Sequence, residues 1–162
     1  MIIDLSTIII TAIFIVAIFG PIAYLIWKGQ HRTHQSISIL RTIEKEKSIK
    51  CTVYDSWNDK TIGIDSLNKK LVFVDIQSIP VNWKLLDLSR VSSCKIIDTG
   101  EIIQLMLGND FGKESQFDVL SFFNTQTDDP LERGFHKELA KKWAQLIDKN
   151  IIKHLKTPRR AA

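Results

Sequence analysis

The sequence predicts an N-terminal transmembrane helix followed by an α+β domain, mainly antiparallel β. In that domain about seven strands form a bent sheet or barrel capped by one C-terminal amphipathic helix. Three observations predict it. Residues 5–27 contain no Asp, Glu, Lys, Arg or His, and 18 of those 23 are apolar. Between residues 51 and 125 the apolar pattern has period two, broken by turn residues at many of the ~8–12-residue intervals typical of small β domains. From residue 130 onward apolar side chains recur at steps of three and four behind a proline. The averages over 162 residues, 44% hydrophobic, 25% charged and net +4, conceal this division and exclude disordered, collagen-like and disulfide-scaffold classes.

The first element is LSTIIITAIFIVAIFGPIAYLIW, residues 5–27, bounded by Asp4 and Lys28. At ~1.5 Å per residue it is long enough for a hydrocarbon core of ~30 Å. Pro21 removes one intrahelical donor and bends the helix without ending it. Tyr24 and Trp27 fall at headgroup level with Lys28 and Arg32, which makes these four the expected membrane-interface residues. A cleaved signal peptide fits less well, because no basic residue precedes the apolar run. Residues 1–4 carry one acidic side chain, whereas 28–50 carry six basic against two acidic ones. The positive-inside rule therefore puts residues 1–4 outside and the rest in the cytoplasm, as a single-pass protein of the plasma (inner) membrane. Two cysteines, Cys51 and Cys94, agree with a reducing compartment.

Residues 28–50 form a basic juxtamembrane connector, partly helical, with Ile37, Ile39, Leu40 and Ile43 as a short apolar stripe. The stripe suits the membrane surface or a neighbouring chain. The body, 51–150, has 12 basic and 15 acidic residues, so the positive charge belongs to the connector and to the tail. Lys153, Lys156, Arg159 and Arg160 supply the latter, and residues 156–162 read as a flexible basic end. Anionic lipid headgroups are the expected partners of both flanks. Nucleic acid is not, since the strand region is acidic and lacks a basic-aromatic ladder.

The domain proper is expected over 51–155. Its strands are a short one around 51–54, then KTIGID (60–65), KLVFVDI (70–76), VNWKLLDL (81–88), VSSCKIID (91–98), EIIQLML (101–107) and SQFDVLSFF (115–123). Ser66 to Lys69 make the first clear pair a hairpin. The helix, about 130–155, opens with Asp129 as N-cap, Pro130 at the first helical position and Glu132 completing a capping box. Leu131, Phe135, Leu139, Trp143, Leu146 and Ile147 form its core-facing stripe, opposite Lys137, Lys141 and Lys149.

TIGIDSLNKKLVFVDI, LLDLSRVSSCKIID and LAKKWAQLI resemble the early hairpin, a following strand pair and the closing helix of pleckstrin-homology-like (PH-like) domains. The whole is similar to uncharacterised bacterial single-pass membrane proteins that carry such a domain in the cytoplasm. That resemblance covers residues 51–152 and implies a binding or scaffold module, although fold alone does not fix function. Phosphoinositide-binding members place basic residues on an early hairpin, where this chain offers Lys69 and Lys70.

Chemistry-bearing motifs are few. His31 and His34 have a spacing compatible with metal ligation but lack a third ligand, so they read as headgroup-level side chains. His136 and His154 belong to the closing helix and have no recognisable partner. Gly108 to Glu114 differs from a phosphate loop in length and in the absence of a hydroxyl, and a strand follows it. Asp128 and Asp129 read as dipole partner and cap, and Cys94 as packing. No catalytic residue, metal or cofactor is expected. The expected function is a membrane-anchored cytoplasmic interaction or scaffold module with an unidentified protein partner and no catalytic activity. Alternatives are an accessory subunit of a larger membrane complex and an enzyme whose site escapes motif reading.

Overall fold

The structure is a computed structural model that describes residues 5–77, 80–109 and 116–151, with side chains described for 9–24, 34–77, 80–108 and 117–151. Helix α1 runs unbroken from Leu5 to Lys47, with Pro21 inside it. Strands β1 (Val53–Trp57), β2 (Lys60–Asp65), β3 (Lys70–Asp75) and β4 (Asn82–Asp87) make one antiparallel sheet in sequence order. Strands β5 (Ser93–Asp98), β6 (Ile102–Asn109) and β7 (Gln116–Asn124) make a second. A single 3₁₀ turn, Pro130–Glu132, then leads into α2, Arg133–Asn150.

Strands β2 and β3 explain the layering. Every residue of β2 is buried, as are Leu71 to Val74 of β3, so their sheet needs cover on both sides. On one face Ile62, Ile64, Leu71 and Phe73 share the main core with Leu105, Leu107, Leu120 and Phe122 of the second sheet. Leu139, Trp143 and Ile147 of α2 close that core. On the other face Val72, Val74 and Cys51 pack against Leu40 and Ile43 of α1. Burying those two α1 side chains contributes about 3–6 kcal/mol.

Close approach of α1 depends on Gly63. A Cβ there would lie 2.8 Å from Cys51 Sγ and 3.5 Å from Leu40 Cδ1, so a larger residue in β2 would push the layer off. Polar groups fix the register. Ser36 of α1 accepts from the Thr61 hydroxyl at 2.8 Å and lies 3.2 Å from Ser56 Oγ. At the other end Glu44 accepts from the Cys51 N–H at 2.7 Å and from Arg41 at 2.7 Å, while the Arg41 guanidinium sits over the Tyr54 ring. Burial raises the Glu44 pKa, but those hydrogen bonds outweigh it and hold the carboxyl below its usual value.

Four sequence expectations are corrected. First, among the described residues no helix is long and apolar enough to cross a membrane. The transmembrane assignment of 5–27 and the single-pass inner-membrane localisation built on it are therefore not supported.

Second, the connector stripe is neither a membrane-surface nor an intermolecular face: Leu40 and Ile43 are spent on the chain's own sheet. Third, the strands form two sheets of four and three in place of one bent sheet or barrel. After β4, Asp87 accepts from the Ser89 N–H and hydroxyl, and Leu88 and Val91 turn into the core, so the ladder ends at that corner.

Fourth, Asp129 caps only the 3₁₀ turn, accepting from the Leu131 N–H at 2.9 Å. Glu132 makes no capping bond, because its carboxylate is taken by Asn58. The buried face of α2 is correspondingly His136, Leu139, Ala140, Trp143, Ala144 and Ile147, leaving Leu131 91% and Phe135 59% exposed.

Candidate functional site

Asn58 and Asp59 take positive φ, 32° and 63°, in the two-residue turn that the paired Trp57 and Lys60 require. That turn brings β1 and β2 against the entry to α2. Lys60 there is almost completely buried, and its Nζ lies 3.3 Å from Oδ2 of the equally buried Asp128. The same oxygen accepts the Asn124 N–H at 2.8 Å. Asn58 Nδ2 donates to Glu132 Oε2 at 2.9 Å and stands 3.3 Å from His136 Nε2. His136 is fully buried near the rings of Phe123 and Phe135, and its Nδ1 has no hydrogen-bond partner among the described residues.

Burial pushes the His136 pKa down. Facing Asp128 and Glu132 pull it up without cancelling that effect, and Lys60 adds to the depression. The imidazole is therefore held neutral. Lys60, Asp128 and His136 have the residue types of an acid-base centre, but all three are sealed from solvent. They act as a latch between the β1–β2 turn and α2.

A second contact joins the same two elements. Asp55 Oδ2 accepts from Lys142 Nζ at 2.6 Å and from Trp143 Nε1 at 2.8 Å. Because Asn58 meets residues 132 and 136 while Asp55 meets 142 and 143, α2 lies alongside β1 in the opposite direction. Between the two pins opens a groove of about 300 Å³ lined by Asp55, Ser56, Phe135, Glu138, Leu139 and Lys142. This groove is the candidate functional site.

Most of the residues singled out from sequence lie elsewhere. Tyr24 is exposed on α1; Trp27, Lys28 and Arg32 belong to the same helix, but their side chains lie outside the described residues. His34 is exposed on α1, and the His31 side chain is likewise outside. Residues 110–115, His154 and the basic tail also lie outside the described residues. Lys70 is engaged with Asp87 at 2.6 Å, which occupies half of the Lys69 and Lys70 pair. Burial pushes both free thiols, Cys51 and Cys94, up to about 12, so neither supplies a thiolate near neutral pH. No group of three or more His, Cys, Asp or Glu side chains is gathered as a metal site among the described residues.

The latch and the groove escaped the sequence reading. Asn58-Asp59 before Lys60 is a turn signal that would have placed β1 at 53–57. Nothing in the sequence marked Lys60 as a buried lysine.

Comparison with protein-family models, with curated proteins and with solved structures finds no match for the chain.

Two outcomes follow from the latch. Asp128→Asn should cost about 3–5 kcal/mol in urea denaturation, because it strands Lys60 in the interior. Lys60→Met combined with Asp128→Leu should recover part of that loss, and a double variant no better than Asp128→Asn would count against the pair's being the cause. His136, depressed in the folded state, contributes stability that is present above pH ~6.5 and lost as pH falls through its folded value. The denaturation midpoint should thus drop between pH 7 and pH 5, and His136→Phe should flatten that slope; an unchanged slope would refute the assignment.

Proposed function

We propose that the chain is a non-catalytic interaction module, an α+β body that carries an apolar helix for assembly into a larger complex. One observation carries this reading. From Ile9 to Tyr24 the large side chains of α1 are more than half exposed, including Ile13, Phe14, Val16, Ile18 and Phe19, which together point around the whole helix. A helix apolar on all sides is normally covered, and among the described residues the body covers α1 only from Ser36 onward. The two halves are one continuous helix, so whatever covers the first half is held at a fixed distance from the body.

Sealing of the Lys60, Asp128 and His136 cluster favours a structural over a catalytic use of those side chains. The chain would then serve as an accessory subunit whose body presents surfaces to further partners.

Sedimentation of the native full-length chain in gentle extracts of its own cells tests this. The chain should run well above its monomer mass, and Ile13→Glu with Phe14→Glu should release it to the monomer while the fluorescence of buried Trp57 and Trp143 stays unchanged. A wild-type chain at monomer mass would refute the reading.

A further inference from the structure

We infer that the uncovered outer face of β4 is the seat of a second copy of this chain, whose residues 9–24 lie there alongside α1 in an antiparallel, two-fold symmetric pair. This rests on the reading of the first half of α1 as an assembly element, and it names the partner.

The seat is a strip of sheet beside α1. Strand register puts Trp83 opposite Val74 and Leu85 opposite Val72, so Trp83 and Leu85 belong to the sheet face on which α1 packs. α1 itself lies over β1, β2 and β3. At the β4 margin Leu85 is only partly buried, and Trp83 and the adjoining Val81 are 42% and 41% exposed. Ser36 meets Ser56 and Thr61 while Glu44 meets Cys51, so α1 runs along the strands and the strip runs beside it. β4 stands two strand spacings, about 9.6 Å, from β2. Packed helices lie ~8–10 Å apart, so the strip has the width of one further helix. Arg41 and Glu44 are turned away from it, to Tyr54 and Cys51 on the β1 side. Ile39, about 200° round the helix from Arg41, packs with Ile76 and Leu85 where the strip begins.

The occupant must be a helix that is apolar on more than one side, since the strip offers it α1 on one flank and the sheet beneath. Ile9 to Tyr24 has that character. No chain can fill its own strip, because α1 is continuous and the centre of 9–24 lies about 35 Å from the centre of 36–43. Antiparallel pairing about a two-fold axis near residue 28 fills both strips at once and closes the assembly. The two bodies are then also about 35 Å apart, roughly the diameter of a domain of this size, so they sit side by side without overlap.

Charge selects the same direction. Residues 5–27 carry no charged side chain, whereas 28–50 carry six basic against two acidic ones. An in-register parallel pair sets the basic stretch beside itself, and the antiparallel pair sets it beside the uncharged 9–24. Two contacts, each covering one side of a helix about 24 Å long, bury on the order of 1,500 Å² in total, the area of a stable specific interface.

The test uses the purified full-length chain with nothing added. At micromolar concentration it should sediment at twice its mass of 18.6 kDa. Trp83→Glu, at an exposed position on the body, and Ile13→Glu should each weaken dimerisation by about tenfold or more while far-ultraviolet circular dichroism remains that of the folded chain. In a background of Cys51→Ala and Cys94→Ala, spin labels on Tyr24→Cys should lie within about 25 Å of each other across the pair, and labels on Ile9→Cys about 55–60 Å apart. Short distances at both positions would identify a parallel pair and overturn the proposal. Undiminished dimerisation of Trp83→Glu, or growth beyond two copies, would overturn it as well. So would a purified chain that stays monomeric: if that chain still runs heavy in extracts of its own cells, the assembly reading survives with a different partner, and if it is monomeric there too, both fail.

Discussion

Two-sided burial of β2 and β3 is the constraint on which the rest of this structure depends. A sheet with one wet face needs only one apolar set, but here Ile62, Ile64, Leu71 and Phe73 point one way and Val72 and Val74 the other, and all are buried. Two covers must therefore exist. The second sheet and α2 provide one, and the second half of α1 provides the other. What looks in the sequence like a linker is a structural layer, and Gly63 and Cys51 are small where that layer comes closest.

The second organising feature is polar. Bringing Lys60 and Asp128 together inside the protein is costly unless each finds partners, and the Asn124 N–H contributes to meeting that demand. The arrangement ties the β1–β2 turn to the start of α2 and fixes the rotation of that helix. With His136 occupying the core side, Leu131 and Phe135 are turned outward. The groove is a consequence of this rotation, bounded by the same contacts that set it. A stability device thereby determines which apolar side chains remain available at the surface.

Much of the strand order was legible because alternation and turn residues are local signals: KTIGID and SCKIID fall where their pattern puts them. The run LVFV in β3 already departs from alternation, which is how a strand buried on both faces reads, yet alternation elsewhere favoured a sheet with one wet side. The α1 layer was missed for a related reason. Leu40 and Ile43 are ordinary amphipathic spacing, and no local signal says whether such a stripe meets a membrane, a neighbour or the chain's own sheet. The capping motif was right in residue type for Asp129 and wrong for Glu132, because Asn58, 74 positions earlier, competes for the carboxylate. Long-range competition of this kind also hid Lys60. The groove was invisible for the same reason, since its two walls are about 80 residues apart in sequence.

The claim that α1 is an integral layer of the body is tested most directly by two shortened chains, one beginning at residue 31 and one at residue 50, compared in urea denaturation and in hydrogen exchange of the Val72 and Val74 amides. Leaving Ser36, Leu40 and Ile43 in place should preserve the stability of the body and the protection of both amides. Removing them should lower stability by about 3–6 kcal/mol, the burial value of Leu40 and Ile43, and expose the outer face of β3. Equal stability and equal protection in the two chains would contradict the account.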